Sequence, residues 1–402
     1  MDSKMDFIVE WERELFSFAE LCRRHGISRQ TGYTIVGRFR EFGREGLEEQ
    51  SRAPHSRPRA MEEGTRQELI DLRVAHPSWG PKKLKVRLEE TRKRAGQTEA
   101  VPARSTIGEM LDREGLIHRR RRKPETGAAA GKGSKLRDPV ESNEVWSADF
   151  KGWFRTTDGR RCEPLTVTDN ASRKLLRLVA SGGIQGNQVR AVMESAFREY
   201  GMPVALRTDN GAPFASSAPG GLSELSVWWI RLGIEHERIK PGKPTQNGRH
   251  ERFHLSLIQD CLEYQIGYDL RSQARIFASY REEFNQLRPH EALEMKTPDS
   301  VWSPSPRPYP GRVPEMEYGI GYQQRRVNEQ GSFPWNGVRV PLSPVLAGEV
   351  IGLMEIDDDV YEICFGPVCL GLLDGRSRTF ARTEIAEKLA RASKDGPAAG
   401  QP

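Results

Sequence analysis

Between Val145 and Gly211 the chain alternates in an order that few folds accommodate. Val145–Phe154 (VWSADFKGWF) reads as a strand, Thr157-Asp158-Gly159 as a hairpin turn and Glu163–Thr168 as the return strand. A third strand follows at Leu175–Ala180, then an amphipathic helix at Gln188–Tyr200. A short strand at Val204–Arg207 then stops at Thr208-Asp209-Asn210-Gly211. Helices are expected near Leu222–Leu232 and from Gln246 onward. Three antiparallel strands, a helical crossover and a strand parallel to the first predict an α/β layer with helices packed on a sheet.

Three carboxylates stand out within that frame. Asp149 lies in the middle of an apolar strand, where a lone charge is costly unless something compensates it. Asp209 lies just past a buried strand, before a glycine-containing loop. Glu251 lies on a helix that starts after Lys240-Pro241-Gly242-Lys243-Pro244. If the strands carrying the two aspartates are neighbours and the helix crosses their ends, the acids converge. Clustered carboxylates do not ionise cheaply together, but they make a hard oxygen site for two Mg²⁺ (or Mn²⁺) ions. Such paired ions serve in-line phosphoryl displacement. Asp169, followed by Asn170 and Ser172, reads as a turn former, and Trp228 and Trp229 as core.

The strings Trp146-Ser147-Ala148-Asp149-Phe150, Arg207-Thr208-Asp209-Asn210-Gly211 and Gln246-Asn247-Gly248-Arg249-His250-Glu251-Arg252 resemble the D-D-E catalytic core of retroviral integrases and bacterial insertion-sequence transposases. The resemblance covers residues 139–302 and implies a ribonuclease-H-like fold. It implies that Asp149, Asp209 and Glu251 are the catalytic residues and the metal ligands, with Asn247 and His254 as active-site neighbours. It also implies cleavage at the ends of a mobile element and joining of its 3′-hydroxyls to target DNA. The partners would be terminal inverted repeats, target DNA and further copies of the chain, in the cytoplasm on nucleoid DNA. Forty-one residues separate Asp209 from Glu251, slightly more than the usual D-D-E spacing. No His/His/Cys/Cys zinc module precedes the core, which favours the bacterial branch. Two other readings compete. One is a DNA-binding descendant with an inactive core. The other is a zinc metallopeptidase, from His250-Glu251-Arg252-Phe253-His254, an H-E-x-x-H motif for which no third ligand is evident in the sequence.

Charge separates the ends of the chain. Residues 1–137 hold 30 Lys/Arg against 21 Asp/Glu, and the remainder 32 against 35, so the first third is suited to a polyanion. It reads as two helix-turn-helix units, residues 1–60 and 61–126, although helical hairpins that pack on another domain would look similar. In the first, helices at Leu15–His25 and Ser28–Phe42 flank Gly26. Cys22, Ile27 and Ile35 fall between them, and Ser28 is the N-cap, so Arg29, Gln30, Thr31 and Tyr33 open the second helix toward a groove. In the second, helices are expected at Thr65–His76, Lys82–Glu90 and Ser105–Arg113, the last capped by Ser105 beside Arg104. Arg119, Arg120, Arg121, Arg122 and Lys123 follow, fit for phosphate contacts. Arg238, Lys240 and Lys243 either grip phosphates or are solvated turn charges.

Residues 127–138 read as a flexible linker, 303–314 as a Pro-rich one and 391–402 as a disordered tail. Residues 315–390, with a hairpin signal at Asn336-Gly337, predict a small β-barrel. The five cysteines (Cys22, Cys162, Cys261, Cys364, Cys369) form no C-x-x-C pair and read as dispersed reduced thiols. No apolar run approaches a membrane span, and the N-terminus lacks the apolar segment of a signal peptide.

Overall fold

The structure, a computed structural model, describes residues 2–48, 61–117, 136–240 and 244–382. Residues up to Glu62 form one compact unit and those from Glu63 onward a second.

The first unit has three helices, α1 (Asp2–Glu12), α2 (Phe18–Arg24) and α3 (Arg29–Phe42). The sequence reading missed α1, whose Phe7 and Ile8 complete a small core with Leu21, Cys22, Val36 and Leu47. α3 starts as expected, with the Ser28 hydroxyl accepting from Thr31 N at 3.1 Å. Gly32 lets α3 approach α2, since a Cβ there would stand 2.7 Å from Cys22 Sγ.

The second unit opens with α4 (Glu63–Ala75), α5 (Pro81–Arg94) and α6 (Arg104–Arg113). Leu69, Trp79, Leu84, Leu88, Ile107 and Leu111 are buried there, and the buried Arg92 ties α5 to Thr65 (2.7 Å) and Glu68 (3.2 Å) of α4. Ser105 is not the cap of α6. The first helical acceptor is Ala103 O, which receives Ile107 N at 3.0 Å, so Ser105 lies inside the first turn and is exposed.

The central sheet is built from β1 (Val145–Phe150), β2 (Phe154–Arg155), β3 (Arg161–Asp169), β4 (Leu175–Ser181), β5 (Ala205–Thr208) and β6 (Glu235–Arg238). Its path is β2-β3-β1-β5-β6, with β4 also on β3. β3 is antiparallel to β1 and β4, whereas β5 runs parallel to both β1 and β6. This is the ribonuclease-H-like order expected. β6 escaped the sequence reading because Glu-His-Glu-Arg has no apolar alternation, as suits an edge strand. Helices α7 (Gly186–Tyr200) and α8 (Glu224–Arg231) share one core cluster with the sheet. Val189, Met193 and Phe197 of α7 meet Trp146, Leu206, Trp228 and Trp229 there, so both tryptophans are core. Helices α9 (Gly248–Leu257) and α10 (Leu270–Glu282) share another through Phe253, Leu257, Phe277 and Leu178.

After α11 (Pro298–Val301), the expected Pro-rich linker is held against the core. Arg307 donates to the carbonyls of Pro203 (2.6 Å), Leu232 (3.1 Å) and Gly233 (2.8 Å), and Tyr309 packs on the central cluster. The C-terminal strands are β7 (Tyr322–Arg326), β8 (Ser332–Trp335), β9 (Val338–Pro341), β10 (Val350–Asp357), β11 (Val360–Phe365), β12 (Val368–Asp374) and β13 (Thr379–Arg382). Their hydrogen bonding is an open antiparallel ladder, β13-β12-β11-β10-β7, plus the separate β8–β9 hairpin at Asn336-Gly337. The hairpin stands between the ladder's ends, with β8 near β7 and β9 near β13. The cysteines are less dispersed than expected, because Cys364 and Cys369 face each other across β11 and β12.

The C-terminal strands are not packed independently. Leu222, Val227 and Ile230, on and beside α8, share a cluster with Phe333, Ile351, Ile363 and Phe365. Phe365→Ala is therefore expected to cost about 3–5 kcal/mol and to lower the whole second unit's urea midpoint. A tryptophan-fluorescence transition left unmoved while the strand signal shifts would mean that the two parts melt separately.

Candidate active site

The β1–β5 register pairs Ser147 with Arg207. Two residues further along each strand stand Asp149 and Asp209, at the carboxyl ends where open α/β sheets bind ligands. Asp149 accepts from Phe150 N at 2.8 Å, and Asp209 from Gly211 N at 3.1 Å. Gly211 keeps that approach open, since a Cβ there would lie 3.0 Å from Asp209 Oδ2 and press on the carboxylate. Glu251 lies in the first turn of α9 and is exposed. Burial, then the neighbouring Asp209 carboxylate and, more weakly, Glu251, push the Asp149 carboxyl up to about 7, against the opposing Phe150 N–H bond. Asp209 and Glu251 thus act on Asp149 as neighbouring like charges.

α9 is fastened to the sheet by its histidines. His250 is fully buried, with Nε2 at 2.7 Å from Thr166 Oγ1 and Nδ1 at 2.8 Å from Thr168 Oγ1. His254 Nε2 reaches the same Thr166 hydroxyl at 2.8 Å, and that hydroxyl lies 2.9 Å from Asp149 O. A carbonyl only accepts, so the Thr166 proton goes to Asp149 O and both Nε2 atoms donate. Thr168 then donates to His250 Nδ1. Burial holds both imidazoles neutral, lowering His254 to about 3 and His250 well below its ordinary value.

This network bears on the H-E-x-x-H motif. A third donor is present after all, because Asp149 offers an oxygen within 4.8 Å of ligand atoms on His250 and His254. However, both His250 nitrogens already bond threonine hydroxyls, and Glu251 is exposed.

Asn247 lies at the N-cap of α9, not within its helical turns, and its side chain meets Ser147 Oγ at 3.3 Å. Asp169 forms a turn, accepting from Ser172 N at 2.8 Å and Asn143 N at 2.7 Å. Arg29, Gln30, Thr31 and Tyr33 are exposed on α3, with Tyr33 stacked on Phe18 at 4.2 Å. Arg104 and Ser105 are exposed on α6. Arg238 is engaged, donating to the Gly220 (3.0 Å) and Gly221 (3.4 Å) carbonyls, which fits a turn role. Lys240 is exposed. Arg119, Arg120, Arg121, Arg122, Lys123 and Lys243 lie outside the described residues, as do most of 127–138 and all of 391–402.

Sequence reasoning missed the residues that support the acids. Thr166 and Thr168 alternate on one face of β3, a two-residue period that marks them as facing α9. The buried Arg207–Glu237 pair (2.7 Å) joins β5 to β6, and Arg207 also reaches Gln246 O at 3.5 Å, beside the start of α9.

Known proteins resemble this chain over its core and its first helices. Residues 139–244 and 232–298 match two integrase core domain models, and residues 31–111 a homeodomain-like domain model. The class so defined is an integrase-type core preceded by homeodomain-like helices. The 31.7 kDa protein of insertion element IS407 from Burkholderia multivorans is 35% identical over 184 residues, 46% of this chain and 63% of that protein. The 39.2 kDa protein of insertion element IS476 from Xanthomonas euvesicatoria is 30% identical over 227 residues, 56% and 58% of the two chains. Transposase InsD of insertion element IS2D from Escherichia coli is 28% identical over 166 residues, 39% of this chain and 52% of that one. The chain thus spans about three fifths of the first two relatives. Among solved structures, the HTLV-2 integrase catalytic core with magnesium is 17% identical at a TM-score of 0.32, covering 40% of this chain and 97% of that one. By these matches residues 139–298 are similar to integrase core domains, and the chain is similar to insertion-element proteins.

An acid whose folded pKa is raised weakens the fold as pH climbs from its unfolded to its folded value. For Asp149 that window runs from about 4 to about 7. Asp149→Asn is therefore expected to stabilise the metal-free protein at pH 8 by roughly 1–3 kcal/mol and to leave it unchanged near pH 4. Urea melts at both pH values check this, and an equal gain at each would show that the Asp149 carboxyl is not raised.

Proposed function

We propose that this protein is a DDE transposase that binds the terminal repeats of a mobile DNA element, cleaves at its ends and joins the 3′-hydroxyls to target DNA. The observation that carries the reading is the β1–β5 register, which leaves Asp149 and Asp209 side by side, with Glu251 near enough to disfavour the Asp149 charge. A carboxylate cluster that is strained by its own charge fits divalent cations, so Asp149, Asp209 and Glu251 would hold Mg²⁺ or Mn²⁺. When bound, such ions activate an attacking water or 3′-hydroxyl and stabilise the leaving oxygen.

The chain's own part is to hold the acids in place. The Thr166 hydroxyl, bound to the Asp149 carbonyl and both imidazoles, fixes α9 against β1. Arg207 links β5, β6 and the start of α9, so Asp209 and Glu251 move little relative to each other. The exposed Arg29, Gln30, Thr31 and Tyr33 on α3 would enter a DNA groove, and Arg104 and Ser105 would contact phosphates or bases from α6. Double-stranded DNA, further copies of the chain in a synaptic complex and action in the cytoplasm on nucleoid DNA complete the reading. One further observation, the Asp149–His250–His254 grouping, keeps a zinc site in view as the second reading.

Asp149→Asn, Asp209→Asn and Glu251→Gln are each expected to cut strand transfer by roughly a thousandfold or more while leaving DNA binding near wild type. The assay uses linear DNA carrying the element ends with Mg²⁺. Strand transfer retained in any two variants would sink the assignment, and none in the wild type would favour a DNA-binding protein with an inactive core. Asp149 serves both metal readings, so Asp209 and His254 separate them. Mn²⁺ titration should weaken in Asp209→Asn and persist in His254→Ala. Stoichiometric zinc in the purified protein, lost in His254→Ala and kept in Asp209→Asn, would establish the zinc site instead.

A further inference from the structure

On the face of α9 that carries Arg249, Arg252 and Ser256 lies a pocket of about 430 Å³ that the reaction outlined above does not use. Four parts of the second unit line it: α5, the β3–β4 turn, α9 and the segment after α10. Its cationic lining is Lys83, Arg173, Arg249, Arg252 and Arg288, with His290. Two of the arginines are committed, Arg249 to Asp138 at 2.6 Å and Arg288 to Asp260 at 2.8 Å. Lys83, Arg173 and Arg252 have no ion pair among the described residues, and Arg173 Nη1 is buried without a hydrogen-bond partner.

The acids that line the pocket are engaged elsewhere. Asp169 accepts from Asn143 N, Ser172 N and Ser172 Oγ, and Glu291 pairs with Lys82 at 3.4 Å. Three cations with no ion pair of their own, facing two acids that bond elsewhere, keep a positive excess in this half-enclosed space that an anion would neutralise. Burial and then the Arg288 charge lower Lys83 to about 8, the direction such crowding demands. A flat basic surface would leave these groups solvated; a concave one with a desolvated guanidinium suits a compact anion with several acceptor oxygens.

We propose that this pocket seats a backbone phosphate of the DNA, joining Lys83 on α5 to Arg252, the residue after Glu251, around one phosphodiester. The DNA identity of the anion rests on the function proposed above, whereas the anion site rests on the pocket alone. α5 is net basic, with seven Lys/Arg against Glu89 and Glu90, so a strand lying on it would be carried toward the pocket. The bound phosphate would then set the helix bearing Glu251 against the DNA and link the second helical unit to the catalytic core.

The test uses the full chain, with pyrophosphate and a duplex carrying the element end as separate probes. Lys83 acetylation by acetic anhydride, read by mass spectrometry, should slow several-fold with either probe in the wild type and with neither in Arg252→Gln. The Lys83→Gln/Arg252→Gln double variant, with unchanged melting, should bind element and unrelated duplexes about tenfold more weakly, with a salt slope smaller by about 1. Lys83 labelling that neither probe slows would overturn the site. Protection by pyrophosphate alone, with DNA affinity intact in the double variant, would overturn the DNA strand as its occupant. Protection by DNA in a wild type that performs no strand transfer would uphold the pocket while sinking the transposase reading.

Discussion

Two carboxylates at the ends of adjacent parallel strands repel each other, and much of the central architecture holds them there. Asp149 follows four buried residues of β1, and Asp209 follows the four fully buried residues of β5. Neither strand can slip by a residue without turning Trp146 and Leu206 out of the core. The register that protects the core is therefore the register that sets the two acids side by side. Burial first, and then the Asp209 carboxylate, raise the Asp149 carboxyl to about 7. Neutralisation of these carboxylates by a divalent cation is the basis of the proposed chemistry.

The helix bearing the third acid is positioned by polar contacts as well as apolar packing. Phe253 and Leu257 pack α9 on the sheet, while His250 and His254 converge on one threonine hydroxyl. Hydrophobic packing alone tolerates small sliding, whereas a buried network in which each donor has one acceptor has a single satisfactory arrangement. That arrangement also occupies both nitrogens of His250, so a histidine of the peptidase motif serves as a strut.

Around this centre, parts that look separable in sequence are packed together. The segment before β7 follows the core, clamped by Arg307. The C-terminal strands complete their own cluster with side chains on and beside α8. On the other side, His76, stacked on Trp79 at 3.8 Å, bonds Glu283 at 2.7 Å beside the start of the segment that lines the basic pocket. Changes in α4–α6 can therefore reach the core through packed contacts.

By itself the sequence determined the order of strands and helices from Val145 to Thr208, the helix that bears Glu251 and the Ser28 cap. These rest on local signals: periodicity, turn residues and capping chemistry act within a few residues. It left β6 illegible because an edge strand needs no apolar alternation, and α1 because its apolar residues matter only against α2 and α3. It placed Ser105 at a cap that Ala103 occupies, since a hydroxyl near a helix start fits either position. Only the tertiary structure decided what His250 and His254 do, because a motif names donors but not the partners that saturate them. Only it showed that Cys364 faces Cys369, that Arg238 is spent on carbonyls, and that Lys83, Arg173 and Arg252 share one pocket. Those residues are up to 169 positions apart in the chain, and proximity over such distances comes from packing, which no local pattern encodes.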